Sequence, residues 1–175
     1  RDAIGLAGDA ALDPLTYLTF IFDGYNFPES LALPVDDSWY YVAAFPGFSL
    51  NTAKARSVLP TQLSMHASVE FAQRLSAFST LLLTNRFDDA LSIMSDEIAE
   101  PHRAPLITGF SEAKAALPEL GAEIVSISGA GPTLFTVCKT LEAAKQCEQW
   151  LQSNYINEQG FCHICKLDNA GTRQL

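Results

Sequence analysis

Between Trp39 and Phe45 the chain reads WYYVAAF, a run of aromatic and β-branched residues closed by Pro46 and Gly47, and the pattern predicts a buried strand. After it the period of the apolar positions changes. NTAKARSVL predicts a short helix, with Asn51 or Thr52 available as N-cap and Pro60 closing it. Between Ser64 and Leu83 the apolar residues at 65, 71, 72, 75, 78 and 82 follow a helical stripe. Phe87, Ala90, Leu91, Met94 and Ile98 form another, opened by Asp88 and Asp89, whose carboxylates suit the positive end of a helix, and stopped by Pro101. A third helical segment runs from about Leu106 to Leu117 and ends at Pro118.

The C-terminal part has β-β-α-β character. AEIVSIS and TLFTVC flank the small-residue stretch Gly129-Ala130-Gly131-Pro132, Thr140 caps the helix LEAAKQCEQWLQSNY, and GFCHICKL supplies a last strand. Upstream, Thr16 to Gly24 predicts a strand, YNFPES a turn, and SLALPV a returning strand. Directly joined strands mixed with helices point to an α+β fold, an antiparallel sheet with helices packed on one face.

Composition narrows the partners. With 175 residues, 48% of them apolar and 18% charged, the chain has enough material for a folded core and does not fit a disordered tail. A net charge of −9 repels nucleic-acid phosphates and anionic membrane surfaces, which disfavours both as partners. It leaves room for a small anionic ligand met by local arginines and backbone N–H groups. No apolar stretch is long enough to span a bilayer, and no basic-then-apolar leader opens the chain. The first residue is Arg1, from which we expect a preceding portion. Cys162 and Cys165 form a Cys-x-x-Cys pair, but in a strand residues three apart point to opposite faces, so the four cysteines are expected to be buried, reduced thiols in a cytosolic setting rather than a zinc site.

Two features carry candidate chemistry. Gly129-Ala130-Gly131 places two glycines around one small residue, so its successive N–H groups could face one concavity and a phosphate could approach the backbone closely. A tight turn between buried strands would use the same residues. Thr52 and Arg56 stand four apart on one helix face, and Arg103 follows a helix break; two arginines provide the planar donor forks that hold a carboxylate, although each alone also fits a surface ion pair. Of the histidines, His66 and His163 fall in helix and strand patterns, and His102 lies beside Arg103.

Three segments together resemble the C-terminal half of the homoserine kinase branch of the GHMP small-molecule kinases. They are NTAKARSVLP against the pattern STxxAR…LP, EPHRAPLITGF against EPYRxxLIPGF, and SGAGPTLFT against SGSGPTxFA. The likeness begins near Leu33 and runs almost to the C-terminus. It implies a ferredoxin-like GHMP kinase C-terminal domain over 33–175, with 1–32 a remnant of an N-terminal domain or a linking hairpin. By the same resemblance Thr52, Arg56, Arg103 and Gly129 line the substrate pocket, the two arginines hold the substrate's carboxylate, and the loop Gly129, Ala130 and Gly131 lies beside the transferred phosphoryl group. The implied reaction moves the γ-phosphoryl of ATP to the side-chain hydroxyl of L-homoserine, a step of threonine biosynthesis, in a cytoplasmic homodimer. Asn51, His102 and Ala130 depart from the serine, tyrosine and serine of the family patterns.

The family's nucleotide loop, P-x-x-x-G-L-G-S-S-A, is not found in these residues. GLAGDAAL (Gly5 to Leu12) echoes its composition without the serines and lies too close to the strand at Trp39. ATP and Mg2+ are therefore expected to bind mainly to an upstream half, no residue here is assigned to a metal or to a catalytic base, and the chain alone is expected to be inactive. Two other readings remain: a GHMP kinase acting on mevalonate, a sugar or a related alcohol, and a non-catalytic ligand-binding or dimerisation domain of the same fold.

Overall fold

The computed structural model describes residues 34–167 and, ahead of them, the backbone of two short strands, β1 (Tyr17–Leu18) and β2 (Leu31–Ala32), which pair antiparallel. Apart from those strands, the elements expected over 16–33, the Gly-Ala stretch 5–12 and the first region 1–32 lie outside the described residues. The main sheet is built from β3 (Tyr40–Phe45), β4 (Ala122–Ile127), β5 (Leu134–Cys138) and β6 (Phe161–Cys165), in the order β4-β5-β3-β6 and antiparallel throughout. Between β3 and β4 come α1 (Thr52–Ser57), α2 (Met65–Leu83), α3 (Phe87–Ser92), α4 (Glu100–Arg103) and α5 (Phe110–Ala116), and α6 (Leu141–Asn154) joins β5 to β6. The α+β expectation holds.

β3 is central because its residues are apolar on both sides. Val42 and Ala44 point to one face, where they meet α5 and α6 through Phe110, Ala113, Leu117, Ala144, Cys147 and Leu151. Trp39 and Tyr41 point to the other, and there Leu91, Ile124 and Val137 pack with them, together with Phe78 and Phe87. The principal helical layer thus covers one face as expected, while α3 and the end of α2 cover part of the second. A bulge between Ala122 and Ile124 turns these two residues to opposite clusters, since an inserted residue reverses the alternation of a strand. Thr140 caps α6, accepting the N–H of Ala143 at 3.1 Å.

One helical expectation needs correction. The stripe from Phe87 to Ile98 is not one helix: α3 stops at Ser92. Met94 closes a tight turn back to Leu91, and the Asp96 carboxylate accepts the N–H groups of Ile98 and Ala99, so side-chain hydrogen bonds replace the next helical turn. Pro101 therefore does not end a helix but lies in the first turn of α4, where its missing N–H costs nothing. The helix expected between Ser64 and Leu83 forms as α2. Its stripe buries only near the C-terminal end, where Leu82 is enclosed, while Met65 and Phe71 are 81% and 52% exposed. Helical period defines an apolar face but not what stands opposite it.

Cys138, Cys147 and Cys162 are buried, but Cys165, at the end of the edge strand β6, is exposed, contrary to expectation. Burial, with the negative charge of Glu148 nearby, pushes the Cys162 thiol from an ordinary value of 9.0 to about 12. The folded protein then keeps a proton that the unfolded chain releases, so stability is full below pH ~9 and declines as pH rises toward ~12. We expect urea titrations between pH 8 and 11 to show Cys162 contributing up to about 1.4 kcal/mol per pH unit to this decline. Cys162→Ala should lessen the slope without abolishing it, because the Cys138 and Cys165 thiols are also raised. An identical slope in the variant would assign the effect to other groups.

Candidate functional site

Asn51 heads α1, its side chain accepting the N–H of Lys54 at 3.2 Å, so asparagine does the capping work a serine would do at this position. Ala55, fully buried, pins the helix, and Thr52 and Arg56, four residues apart, remain exposed. The Arg56 guanidinium is in no hydrogen bond or ion pair among the described residues. α1 thus presents the Arg56 cation with the Thr52 hydroxyl on the same face.

Arg103, at the end of α4, is half-buried and already engaged. Its Nε donates to the carbonyl of Ala55 at 3.3 Å and its Nη1 to the carbonyl of Gly129 at 2.9 Å. One guanidinium therefore joins the helix of Thr52 and Arg56 to the glycine loop. Its Nη2 makes no hydrogen bond among the described residues, although a guanidinium carries five N–H donors. Arg103 is consequently a clamp first; the simple picture of two equally free arginine forks is modified, because most of this fork faces backbone.

The loop between β4 and β5 is closed from inside. Ser128 N–H donates to Thr133 O at 2.8 Å and Gly131 N–H to Ser128 O at 3.0 Å, with Gly129 at φ 60° and Gly131 at φ 82°. A Cβ on Gly131 would stand 2.6 Å from Cδ1 of Ile107 and 3.1 Å from Cγ2 of Ile127, so this glycine is needed for close packing as well as for its left-handed backbone. The Gly131–Pro132 peptide is cis, and the buried Tyr155 hydroxyl donates to the Pro132 carbonyl from beneath. Burial raises the pKa of that phenol, which keeps it a donor. Within Gly129–Gly131 the Gly131 N–H closes the turn, and the N–H groups of Gly129 and Ala130 are in no backbone hydrogen bond among the described residues. The tight turn is therefore present, and the Gly129 and Ala130 amides take no part in closing it.

Several participants were not singled out from the sequence. Glu100, whose side chain is 13% exposed, pairs with Lys114 at 2.8 Å and accepts from the Ser126 hydroxyl at 2.7 Å. Lys114 also donates to the carbonyl of Val125. Glu100 lies in the same quoted segment as Arg103, and Ser126 opens the glycine stretch; proximity in sequence was the available signal. His102 is exposed on α4, His66 lies 3.5 Å from Glu70 on the surface of α2, and His163 stacks on Phe161. Among the described residues no group of three or more His, Cys, Asp or Glu side chains could hold a metal ion, and no helix is long and apolar enough to cross a membrane.

Residues 76–157 match the family described as GHMP kinases C terminal. A homoserine kinase of Buchnera aphidicola subsp. Cinara cedri (strain Cc) is 42% identical over 144 residues, covering 82% of this chain and 46% of that protein. The chain carries a GHMP kinase C-terminal domain. The crystal structure of homoserine kinase from Cytophaga hutchinsonii superposes on this domain with a TM-score of 0.73 at 30% identity, over 79% of this chain and 45% of that one. A putative homoserine kinase from Listeria monocytogenes shares the fold at TM-score 0.57 and 17% identity, over 88% of this chain and 53% of that one. The chain spans about half the length of the relatives it matches.

Proposed function

We propose that the protein is an ATP-dependent kinase that phosphorylates the side-chain hydroxyl of L-homoserine to O-phospho-L-homoserine, with this domain forming the substrate side of the active site. The observation that carries the reading is the Arg103 clamp. It draws together the segments NTAKARSVLP, EPHRAPLITGF and SGAGPTLFT, and it leaves the Arg56 guanidinium, one Arg103 nitrogen and two loop amides available around the same helix–loop junction. That collection suits an amino-acid carboxylate beside a phosphoryl group better than the neutral hydroxyls of a sugar. The relationship to the Buchnera homoserine kinase supports the same substrate.

In this reading Arg56 and the remaining Arg103 nitrogen hold the carboxylate, Thr52 adds a hydrogen bond, and the Gly129 and Ala130 amides face the developing charge of the transfer. Phosphoryl transfer depends mainly on such positioning and electrostatic stabilisation, so no covalent participant is required of these residues. ATP supplies the phosphoryl group. Mg2+ accompanies it in this reading, but the described residues provide no donor set for the ion, and none is assigned to it. A cytoplasmic homodimer completes the proposal by analogy with the family.

The test is ATP-dependent phosphorylation by the full-length protein, with L-homoserine, mevalonate and galactose assayed side by side. Turnover confined to homoserine is the expected result. Turnover on galactose alone would retain a kinase and remove the carboxylate argument. Turnover on mevalonate alone, itself a hydroxy acid, would retain the carboxylate but replace the substrate. Binding of homoserine with no turnover on any of the three would favour a ligand-binding domain.

A further inference from the structure

The clamp has a second rung. Glu100 and Arg103 stand three apart on the single turn of α4, and their partners Ser126 and Gly129 stand three apart where β4 runs into the glycine loop. The Glu100 carboxylate takes the Ser126 hydroxyl at 2.7 Å while Arg103 takes the Gly129 carbonyl at 2.9 Å, and further along Ile107 packs where a side chain on Gly131 would be. Three successive contacts thus seat the segment 100–107 against the segment 126–131. Glu100 is mostly enclosed, and the Lys114 ammonium 2.8 Å away neutralises it, so its charge does not reach the site as a repulsion for an incoming anion.

We propose that Glu100, held by Lys114, is a positioning residue that sets the orientation of the Arg103 guanidinium and the shape of the Gly129–Gly131 loop, and through them substrate affinity. The carboxylate touches no ligand in this arrangement. It acts by keeping α4 in register with β4, because Arg103 can reach both Ala55 and Gly129 only from one placement of that turn. Tethering by two side chains of opposite charge makes the placement stiff: sliding α4 would break a charge-assisted hydrogen bond at each end. The kinetic part of the test rests on the function proposed above; the exchange part does not.

In the full-length protein, Glu100→Ala is expected to raise KM for L-homoserine on the order of tenfold, with kcat and KM for ATP little changed. Glu100→Gln, which keeps a carbonyl acceptor for Ser126 but loses the ion pair, should recover most of that affinity. Lys139→Ala, which removes a surface pair with Asp88 and Glu123, serves as a control and should leave KM unchanged. Independently of activity, hydrogen exchange in the peptide 126–133 should quicken about tenfold in Glu100→Ala, while the β3–β5 pairing around Val137 stays protected. Unchanged exchange in 126–133 overturns the inference, as does a fall in global stability with KM unaltered. A wild-type protein without homoserine turnover refutes the proposed function, and the exchange measurement then still decides this one. Should Glu100→Ala not fold, Glu100→Gln and Ser126→Ala are read by the same exchange, and wild-type rates in both overturn it.

Discussion

Arg103→Ala in the full-length protein is expected to lower kcat/KM for L-homoserine by about 10²–10³-fold, the largest functional loss of any substitution considered for this domain. Three effects combine. The carbonyls of Ala55 and Gly129 lose a charged donor and α1 loses its tie to the glycine loop, and in the proposed function the substrate loses a cationic partner. Hydrogen bonds to a charged group contribute roughly 1.5–3 kcal/mol each, so the loss of two such tethers and a ligand contact, partly offset by water, falls in this range. Arg103→Lys should rescue little, because one ammonium on a flexible stem cannot span two carbonyls and a carboxylate in the geometry of a planar fork. Steady-state kinetics with homoserine varied at saturating ATP gives the answer. A change under fivefold in Arg103→Ala, with the protein folded, would remove Arg103 from the site.

The largest loss of stability is expected from Trp39→Ala. Trp39 is 1% exposed, meets the Phe87 ring edge-on at a centroid distance of 5.9 Å, and packs with Tyr41, Leu91, Ile124 and Val137 on the second face of the sheet. Removing a buried indole takes away its transfer free energy and leaves a cavity that the rigid sheet cannot close, at a cost of about 3–5 kcal/mol. For a protein of this size that corresponds to a melting temperature lower by roughly 10 °C. Trp39→Phe, which keeps an aromatic partner for Phe87, should cost less. Ile107, which backs the loop, belongs to the opposite cluster, so KM for homoserine should stay near the wild-type value below the melting range. A melting temperature within about 2 °C of wild type would show that the second cluster adds little to the core.

Most strands and four of the helices were readable because local signals agreed with tertiary ones. The run WYYVAAF is apolar on both sides, and Thr140 and Asn51 are N-caps by residue type as well as by geometry. The misreadings came where side chains compete with the backbone or where a face has no visible neighbour. Asp96 takes the N–H groups that would have extended α3, and the apolar stripe of α2 continues past the residues that cover it. Cys165 was expected inside with the other cysteines by residue type; it ends the edge strand β6 and is exposed.

The site divides in the same way. The sequence by itself determined the chemical inventory: Thr52 and Arg56 on one helical face, an arginine after a break, and a glycine loop between two strands, each following from spacing and backbone preference over a few residues. Only the tertiary structure decided how they are used. It inserted β3 between β5 and β6, engaged most of the Arg103 fork with the carbonyls of Ala55 and Gly129, and brought Glu100 to Ser126 across 26 residues of chain. The reason is physical: hydrogen bonds to backbone carbonyls leave no mark on residue type at the accepting position, and a contact between segments distant along the chain is set by the packing of the sheet that carries them.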